Sequence, residues 1–523
     1  MRKLLYLVVF VVLGAVTLSP LLCVQVPPLV DYPNHLARMW ILVHGTDIAE
    51  LANNYSVDWR ILPNLAMDLV VPVLARVMPI EEAGRVFVAL TMLTLVGGTV
   101  TLHRVIHERP AIWPLCSVLF IYNAALYWGF TNYLFATGVY LFAFSGWIAT
   151  RRWRPTLRIL TFSAVASLLV LLHLFAFGLY GLSVVSYELA RQSDLRRMSL
   201  RKLVAQGIIY LQFVPGVLLW YHSLGQGRSM YTAYGDLVFK FYALISPFTF
   251  GFEPTAFDWF TMSCVSLFLV LSIVSRSLKW APQMRLPVAV MTALVLLIPT
   301  WLSGSFLADI RLPVALPFVF IASTRFEPVR KATATPVVAI ALILLGVRVW
   351  SVSQAWRDYD RWFVEFRTAS AVISPGARLL VVSAPISEQD RRLFGVPATL
   401  AKLQWPIFIH MAALAVIDRA AFFPYMFTGF HSIKVTPRNE AVSQAVAVPM
   451  TPVELTMSAD PEQAGTLYTA PNFLGERPYW RNWPETFDFV LWMDFSNAPK
   501  PQLKQLQLLV NRSFFDIYRV VRP

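Results

Sequence analysis

The sequence predicts a polytopic α-helical membrane protein of about eleven transmembrane helices, N-terminus inside and C-terminus outside, with a C-terminal extracytoplasmic α/β domain. Three observations predict it. Hydrophobic residues make up 57% of the 523-residue chain and charged ones 14%, with a mean hydropathy of +0.57; soluble globular chains carry roughly 25% charged residues. The apolar residues fall in runs of about 20, the length that crosses a bilayer, up to residue 352. Beyond that point the chain becomes charged, Pro-rich and broken into short runs. This composition excludes a water-soluble enzyme, a disordered chain and a fibrous repeat.

The first run, Leu4 to Val24, follows Met1-Arg2-Lys3. It is too long for a signal-peptide core and no small-x-small cleavage site follows, so an uncleaved first span is expected. Further spans are expected at about 83–102, 111–129, 132–150, 158–172, 174–190, 203–222, 259–276, 286–303, 312–325 and 333–352. Residues 158–190 form one apolar stretch of 33, too long for one helix, and a break at His173 is expected. Residues 62–78 contain Asp68 and Arg76; a charge at mid-bilayer is costly, so this segment reads as an interfacial helix. The domains are therefore 1–352, with a first outer loop at 25–82, and 353–523.

Basic residues decide the orientation. The net charge is +14, but Lys and Arg sit in clusters between apolar runs and form no continuous patch, so no nucleic acid is expected. The segments placed inside, from Arg2/Lys3 through Arg151/Arg152/Arg154/Arg158 to Arg325/Arg330/Lys331, hold 19 basic residues, and the outer connections before residue 353 hold seven. That bias is the positive-inside pattern. The three cysteines, Cys23, Cys116 and Cys264, lie in apolar runs, so no disulfide staples the C-terminal domain.

Under this topology the unusual polar residues gather on the outer side. Asp31 lies just past the first span in Pro27-Pro28-Leu29-Val30-Asp31-Tyr32-Pro33-Asn34-His35. Leu36, Met39, Trp40 and Val43 then recur on one face of an amphipathic helix, with His35 and Arg38 beside that face. Asp31 either caps this helix or is an acid held at the membrane boundary. His173 is either a satisfied core residue or an intramembrane site. Arg228 starts an outer loop. Asp309 and Arg311 stand at an outer helix end; two residues apart they do not face each other, so each needs another partner. Arg311 either anchors lipid phosphate or binds a phosphate in a pocket.

Taken together, these residues resemble the GT-C superfamily of membrane glycosyltransferases, which includes the protein O-mannosyltransferases and the lipid A aminoarabinose transferases. Asp31-Tyr32-Pro33-Asn34-His35-Leu36-Ala37-Arg38-Met39 looks like the family's acidic entry motif. Asn64-Leu65-Ala66-Met67-Asp68 looks like its second interfacial helix. Asp309-Ile310-Arg311-Leu312-Pro313 with Pro317 is similar to its late Arg-x-x-x-Pro element. Many members carry two adjacent acids in the entry motif, whereas Tyr32 follows Asp31 here.

The resemblance implies transfer of a sugar from a polyprenyl-phosphate donor to a glycan, lipid or protein acceptor on the outer face of an inner membrane. It implies Asp31 as the general base, Arg311 as the phosphate-holding cation with His173 or Arg228 in support, and His35, Arg38 and Asp309 as further substrate-binding residues. A divalent cation, Mg or Mn, is the cofactor it raises, with no ligand assigned. No Gly-x-Gly-x-x-Gly opens a helix, in keeping with a lipid-linked donor.

In the C-terminal domain, strands are expected at 378–383, 487–492 and 514–521, with helices at 397–417 and 502–510, giving a βαβ-like layer. The Tyr479-Trp480-Arg481-Asn482-Trp483 stretch is either core or a sugar-stacking surface. Two other functions compete: a transporter or flippase of a lipid-linked substrate, and a non-catalytic envelope assembly protein. No self-similar halves of the kind transporters show are visible.

Overall fold

The computed structural model describes residues 2–192, 207–224, 231–328, 331–384, 405–428, 431–444, 449–459, 478–494 and 500–522. Its α-helices, in chain order, are α1 Arg2–Leu18, α2 Tyr32–His44, α3 Ala49–Asn54, α4 Ala66–Leu74, α5 Ile80–His107, α6 Ala124–Tyr127, α7 Thr131–Ala149, α8 Pro155–Leu172, α9 Leu174–Ala190, α10 Val214–Leu224, α11 Leu237–Ile245, α12 Ala256–Val274, α13 Arg285–Leu297, α14 Ala308–Ser323, α15 Lys331–Ala369, α16 Leu414–Arg419, α17 Pro452–Met457 and α18 Trp483–Thr486. The strands are β1 Tyr55–Val57, β2 Leu278–Trp280, β3 Thr324–Phe326, β4 Leu379–Ala384, β5 Ile433–Val435, β6 Phe489–Asp494, β7 Leu506–Asn511 and β8 Phe515–Val520. The chain forms two compact units. The first is Met1–Cys23, Ile61–Leu69 and Arg85–Gln354; the second is Val24–Arg60, Val70–Gly84 and Ala355–Pro523.

The first unit is helical. Five helices among the described residues are long and apolar enough to cross a membrane: Tyr6–Cys23, Ile80–His107, Pro155–Leu172, Ala256–Val274 and Ala334–Val372. Three shorter apolar helices accompany them. Leu267, Val270, Leu271, Ile273 and Val274 on α12, and Val338, Leu342 and Ile343 on α15, point outward exposed. Apolar stripes of this size face lipid, not water, so the chain is a membrane protein. The expected span at 111–129 is a 3-10 helix, Trp113–Phe120, followed by the four-residue α6. Pro114 removes a backbone donor there, and Asn123 caps α6 by accepting from the Leu126 N–H at 3.0 Å.

The break expected at His173 is present. His173 is extended (φ −170°, ψ 125°), ends α8, and caps α9 by accepting the Phe175 N–H on Nδ1 at 3.1 Å. In the same unit α5 and α7 approach closely. A Cβ on Gly138 would lie 2.5 Å from Thr94 Oγ1, and one on Gly98 would lie 2.8 Å from the Gly138 carbonyl. Small residues at such a crossing let apolar helices pack without a hydrophobic drive. Between α12, α13, α14 and α15 lies a cavity of about 1020 Å³ lined by Phe120, Phe268, Phe320 and Ile340 among others.

The second unit joins residues 24–60 and 70–84 to the C-terminal residues. Here α2 is buried nearly all round, from Tyr32 to Met39. The sequence pattern predicted one apolar face at an interface; the helix instead packs against α16 and the 3-10 turn Met411–Ala413. Its polar residues are therefore buried inside protein. Strand β1 pairs antiparallel with β5, Ser56 opposite Lys434. The main sheet runs β4-β6-β8-β7, with β4 and β6 parallel and the rest antiparallel.

Two sequence expectations change here. Residues 502–510 do not form a helix: Leu506–Asn511 is the edge strand β7, hairpinned to β8, with a bulge between Leu508 and Val510. The layer is thus a parallel pair with an added hairpin, not βαβ. Leu506, Leu508, Leu509 and Val510 fit both helical and strand spacing over so short a run, and an edge strand half open to solvent adds no further apolar signal. Within 397–417, residues 397–404 lie outside the described residues; the rest is two 3-10 turns leading into α16. Tyr479, Trp480 and Trp483 are buried and form core.

Candidate functional site

Asp31 precedes α2 at the N-cap position, with Pro33 inside the first turn. Its side chain makes no capping hydrogen bond. The carboxylate Oδ1 instead stands 3.5 Å from His410 Nε2. The protonation of that ring follows from its other side. Asn34 Oδ1 accepts the Phe427 N–H at 2.9 Å, which fixes the amide orientation. Asn34 Nδ2 then donates to the Tyr425 carbonyl at 2.9 Å and to His410 Nδ1 at 3.0 Å. With Nδ1 accepting, the neutral ring carries its proton on Nε2, facing Asp31. His410 is 2% exposed, and burial pushes its pKa down to about 3. It stays neutral at ordinary pH and serves as a donor toward the carboxylate. It is a poor proton acceptor.

Next along α2, His35 packs on Phe427 with ring centroids 5.0 Å apart, and Phe427 also meets His410 at 5.0 Å. Burial, then the Arg38 guanidinium, then His410 hold His35 well below the usual histidine range. Its Nδ1 has no hydrogen bond among the described residues. Arg38 is fully buried and bonds His431 Nδ1. An acceptor Nδ1 keeps His431 neutral, and burial followed by Arg38 lowers its pKa strongly. The site in this unit is therefore one partly exposed carboxylate, 21% accessible, backed by three neutral histidines.

In the first unit, His173 and Arg311 converge on Tyr133. The Tyr133 ring meets His173 edge-on at 5.5 Å and Phe175 at 6.0 Å, and its hydroxyl donates to the Arg311 carbonyl. The Arg311 guanidinium lies over Phe130 at 4.7 Å and over Phe175 at 5.9 Å, and donates to the Phe306 carbonyl at 3.2 Å. Asp309 does not pair with Arg311. It is fully buried, accepts from Thr300 Oγ1 at 2.7 Å, and has Lys240 Nζ 3.7 Å away. Leu307, at φ 49°, turns the chain into α14 just before these residues.

The residues singled out from the sequence thus fall in two groups. Asp31, His35 and Arg38 belong to the second unit, and His173, Asp309 and Arg311 to the first. Arg228 lies outside the described residues. His410, Asn34 and His431 were missed as site residues. Asn34 and His410 are 376 positions apart, and no local spacing signals such a pairing. Among the described residues no group of three His, Cys, Asp or Glu side chains is placed to hold a metal ion. The three histidines do not fit one: Nδ1 of His410 and of His431 each accept a protein hydrogen bond, and Arg38 stands among them.

The fold is that of a helical membrane protein in which residues 24–60 and the C-terminal residues share one mixed α/β unit. No family model and no curated protein matches the chain. Solved structures do resemble it. They include ArnT from Cupriavidus metallidurans. Its crystal structure bound to undecaprenyl phosphate is 13% identical, with 99% of this chain and 98% of that chain covered and a TM-score of 0.45. The apo structure of ArnT from Cupriavidus metallidurans is 13% identical, covers 100% and 99%, and has a TM-score of 0.47.

Proposed function

We propose that the chain is an inner-membrane glycosyltransferase that moves a sugar from a polyprenyl-phosphate-linked donor to an acceptor hydroxyl or amine on the outer face. One observation carries this reading. Asp31 is a carboxylate at a helix start that makes no capping bond there and is faced by a buried, neutral His410. A general base needs a carboxylate held in place by a neighbouring group and within reach of solvent or substrate, and Asp31 is 21% accessible.

In this reading Asp31 takes the proton of the acceptor as the acceptor atom attacks the anomeric carbon. The bond from that carbon to the phosphate oxygen breaks, and its electron pair leaves on the polyprenyl phosphate. The sugar inverts at that carbon. The charge growing on the leaving phosphate needs a cation, a part the family resemblance gives to Arg311 with His173 in support. His410 positions Asp31.

The test is Asp31→Asn in the full-length protein. Sugar transfer from a labelled polyprenyl-phosphate donor should fall by roughly 100-fold or more, the usual contribution of a general base. The melting temperature and donor-lipid binding should hold. Transfer that survives the substitution removes Asp31 from the mechanism. A transporter or an assembly protein would show no transfer at all in the unaltered chain.

A further inference from the structure

The second unit contains a separate polar hollow of about 410 Å³ at the entry ends of strands β4 and β6. Glu50, Asn53, Ser374, Arg438, Asp488 and Arg519 line it. Four arginines gather here. Arg378 is pinned: its Nε donates to Asn439 Oδ1 at 2.7 Å, and its terminal nitrogens donate to the Thr486 and Arg438 carbonyls at 3.2 and 2.8 Å. Arg522 donates to Asp488 Oδ1 at 3.1 Å, and the Arg378 backbone N–H to Asp488 Oδ2 at 3.0 Å. Asp488 is thereby used on both oxygens.

Arg438 and Arg519 are left. Both side chains are exposed, and among the described residues neither makes a hydrogen bond or ion pair. Glu50 sits in the first turn of α3, where a carboxylate complements the helix end. The floor is firm. Gly376, at φ +72°, brings the backbone against Glu50, so that a Cβ there would stand 3.1 Å from Glu50 Cβ. Burial, then Arg438, lowers the Arg378 pKa, with Arg522 acting the same way and Asp488 against them. An added anion relieves this crowding of like charges.

We infer that this hollow is a binding site for an anionic saccharide, a sugar bearing a phosphate or carboxylate that Arg438 and Arg519 clamp. Guanidinium forks match such oxyanions in two-point contact. The rest of the lining, Asn53, Ser374 and Glu50, offers donors and acceptors to hydroxyl groups. The volume falls in the range of small-ligand sites. The Asp31 carboxylate is not among its lining residues.

The experiment uses the full-length protein in lipid nanodiscs and isothermal titration with four probes: glucose 1-phosphate, glucuronate, glucose and inorganic phosphate. Glucose 1-phosphate and glucuronate should bind, glucose should not, and inorganic phosphate should bind at least tenfold more weakly than the sugar phosphate. Arg438→Gln and Arg519→Gln should each weaken the sugar phosphate tenfold or more without moving the melting temperature. Asp31→Asn should leave this binding unchanged, which separates the site from the transfer reading. Absence of binding by both anionic sugars overturns the proposal, as does binding indifferent to both arginine substitutions. Inorganic phosphate binding as tightly as the sugar phosphate overturns the saccharide assignment.

Discussion

At the scale of single residues, the neutrality of His410 has two consequences. The first concerns turnover. Removing the ring in His410→Ala frees the Asp31 carboxylate to misalign, and a misplacement of about 1 Å costs roughly 100-fold. We expect kcat to fall by that order with KM little changed, measured with the labelled donor. The second concerns pH. His410 titrates near 3 in the folded protein and near 6.5 when unfolded. Below about pH 6.5 the unfolded chain binds a proton that the folded one refuses, so stability drops as pH falls toward 3. At pH 5 the loss from this residue is about 2 kcal/mol. His35 and His431, whose pKa values are also lowered, act with the same sign. Melting curves at pH 7 and pH 5 should separate more for the unaltered protein than for His410→Gln. Of this site the sequence disclosed Asp31, because an acid beside a Pro-stiffened helix entry is a local pattern. It could not disclose the amide of Asn34 choosing the tautomer of a ring 376 positions away.

Elements were legible where their signal was long. The 33-residue apolar run required a break, and the one polar residue within reach, His173, makes it by capping the next helix. Short or ambiguous stretches were not. Leu506–Asn511 reads as helix until its hairpin partner Phe515–Val520 is known, and α2 reads as half exposed until the chain that covers it arrives. That covering is tight. A methyl on Gly84, at the start of α5, would lie 2.2 Å from Tyr32 Oη and 2.8 Å from Leu36 Cδ1. Gly84→Ala should therefore cost about 1–3 kcal/mol, and adding Tyr32→Phe should recover part of it, read as melting temperature. A further tie is Arg367 on α15, whose guanidinium holds Asp418 on both oxygens and Glu81 at 2.8 Å. Arg367→Met leaves two carboxylates facing each other. It should destabilise by roughly 2 kcal/mol, checked by thermal unfolding, with Arg367→Lys recovering part of the loss.

For the whole molecule, the positive-inside pattern of the basic clusters predicts an N-terminus inside and C-terminal residues outside. A phosphatase reporter that works only outside the cytoplasm should be active when fused after residue 522 and silent when fused after Arg152. The reverse result would invert the membrane orientation on which the outer-face reaction depends. The two units divide inside α15, at Gln354/Ala355, and at Cys23/Val24, where residues 24–60 have no core of their own to mark a boundary in the sequence.

The pairing of β1 with β5 and the enclosure of α2 also set a schedule for biogenesis. Residues 24–60 leave the ribosome early, while the strand and the histidine that complete them come nearly four hundred residues later. At about 5–20 residues per second, this segment waits roughly 20–75 s with its greasy flank uncovered. A chaperone has its natural client there, and a chain stopped short of His410 should be cleared by proteolysis although every one of its membrane helices is already in place.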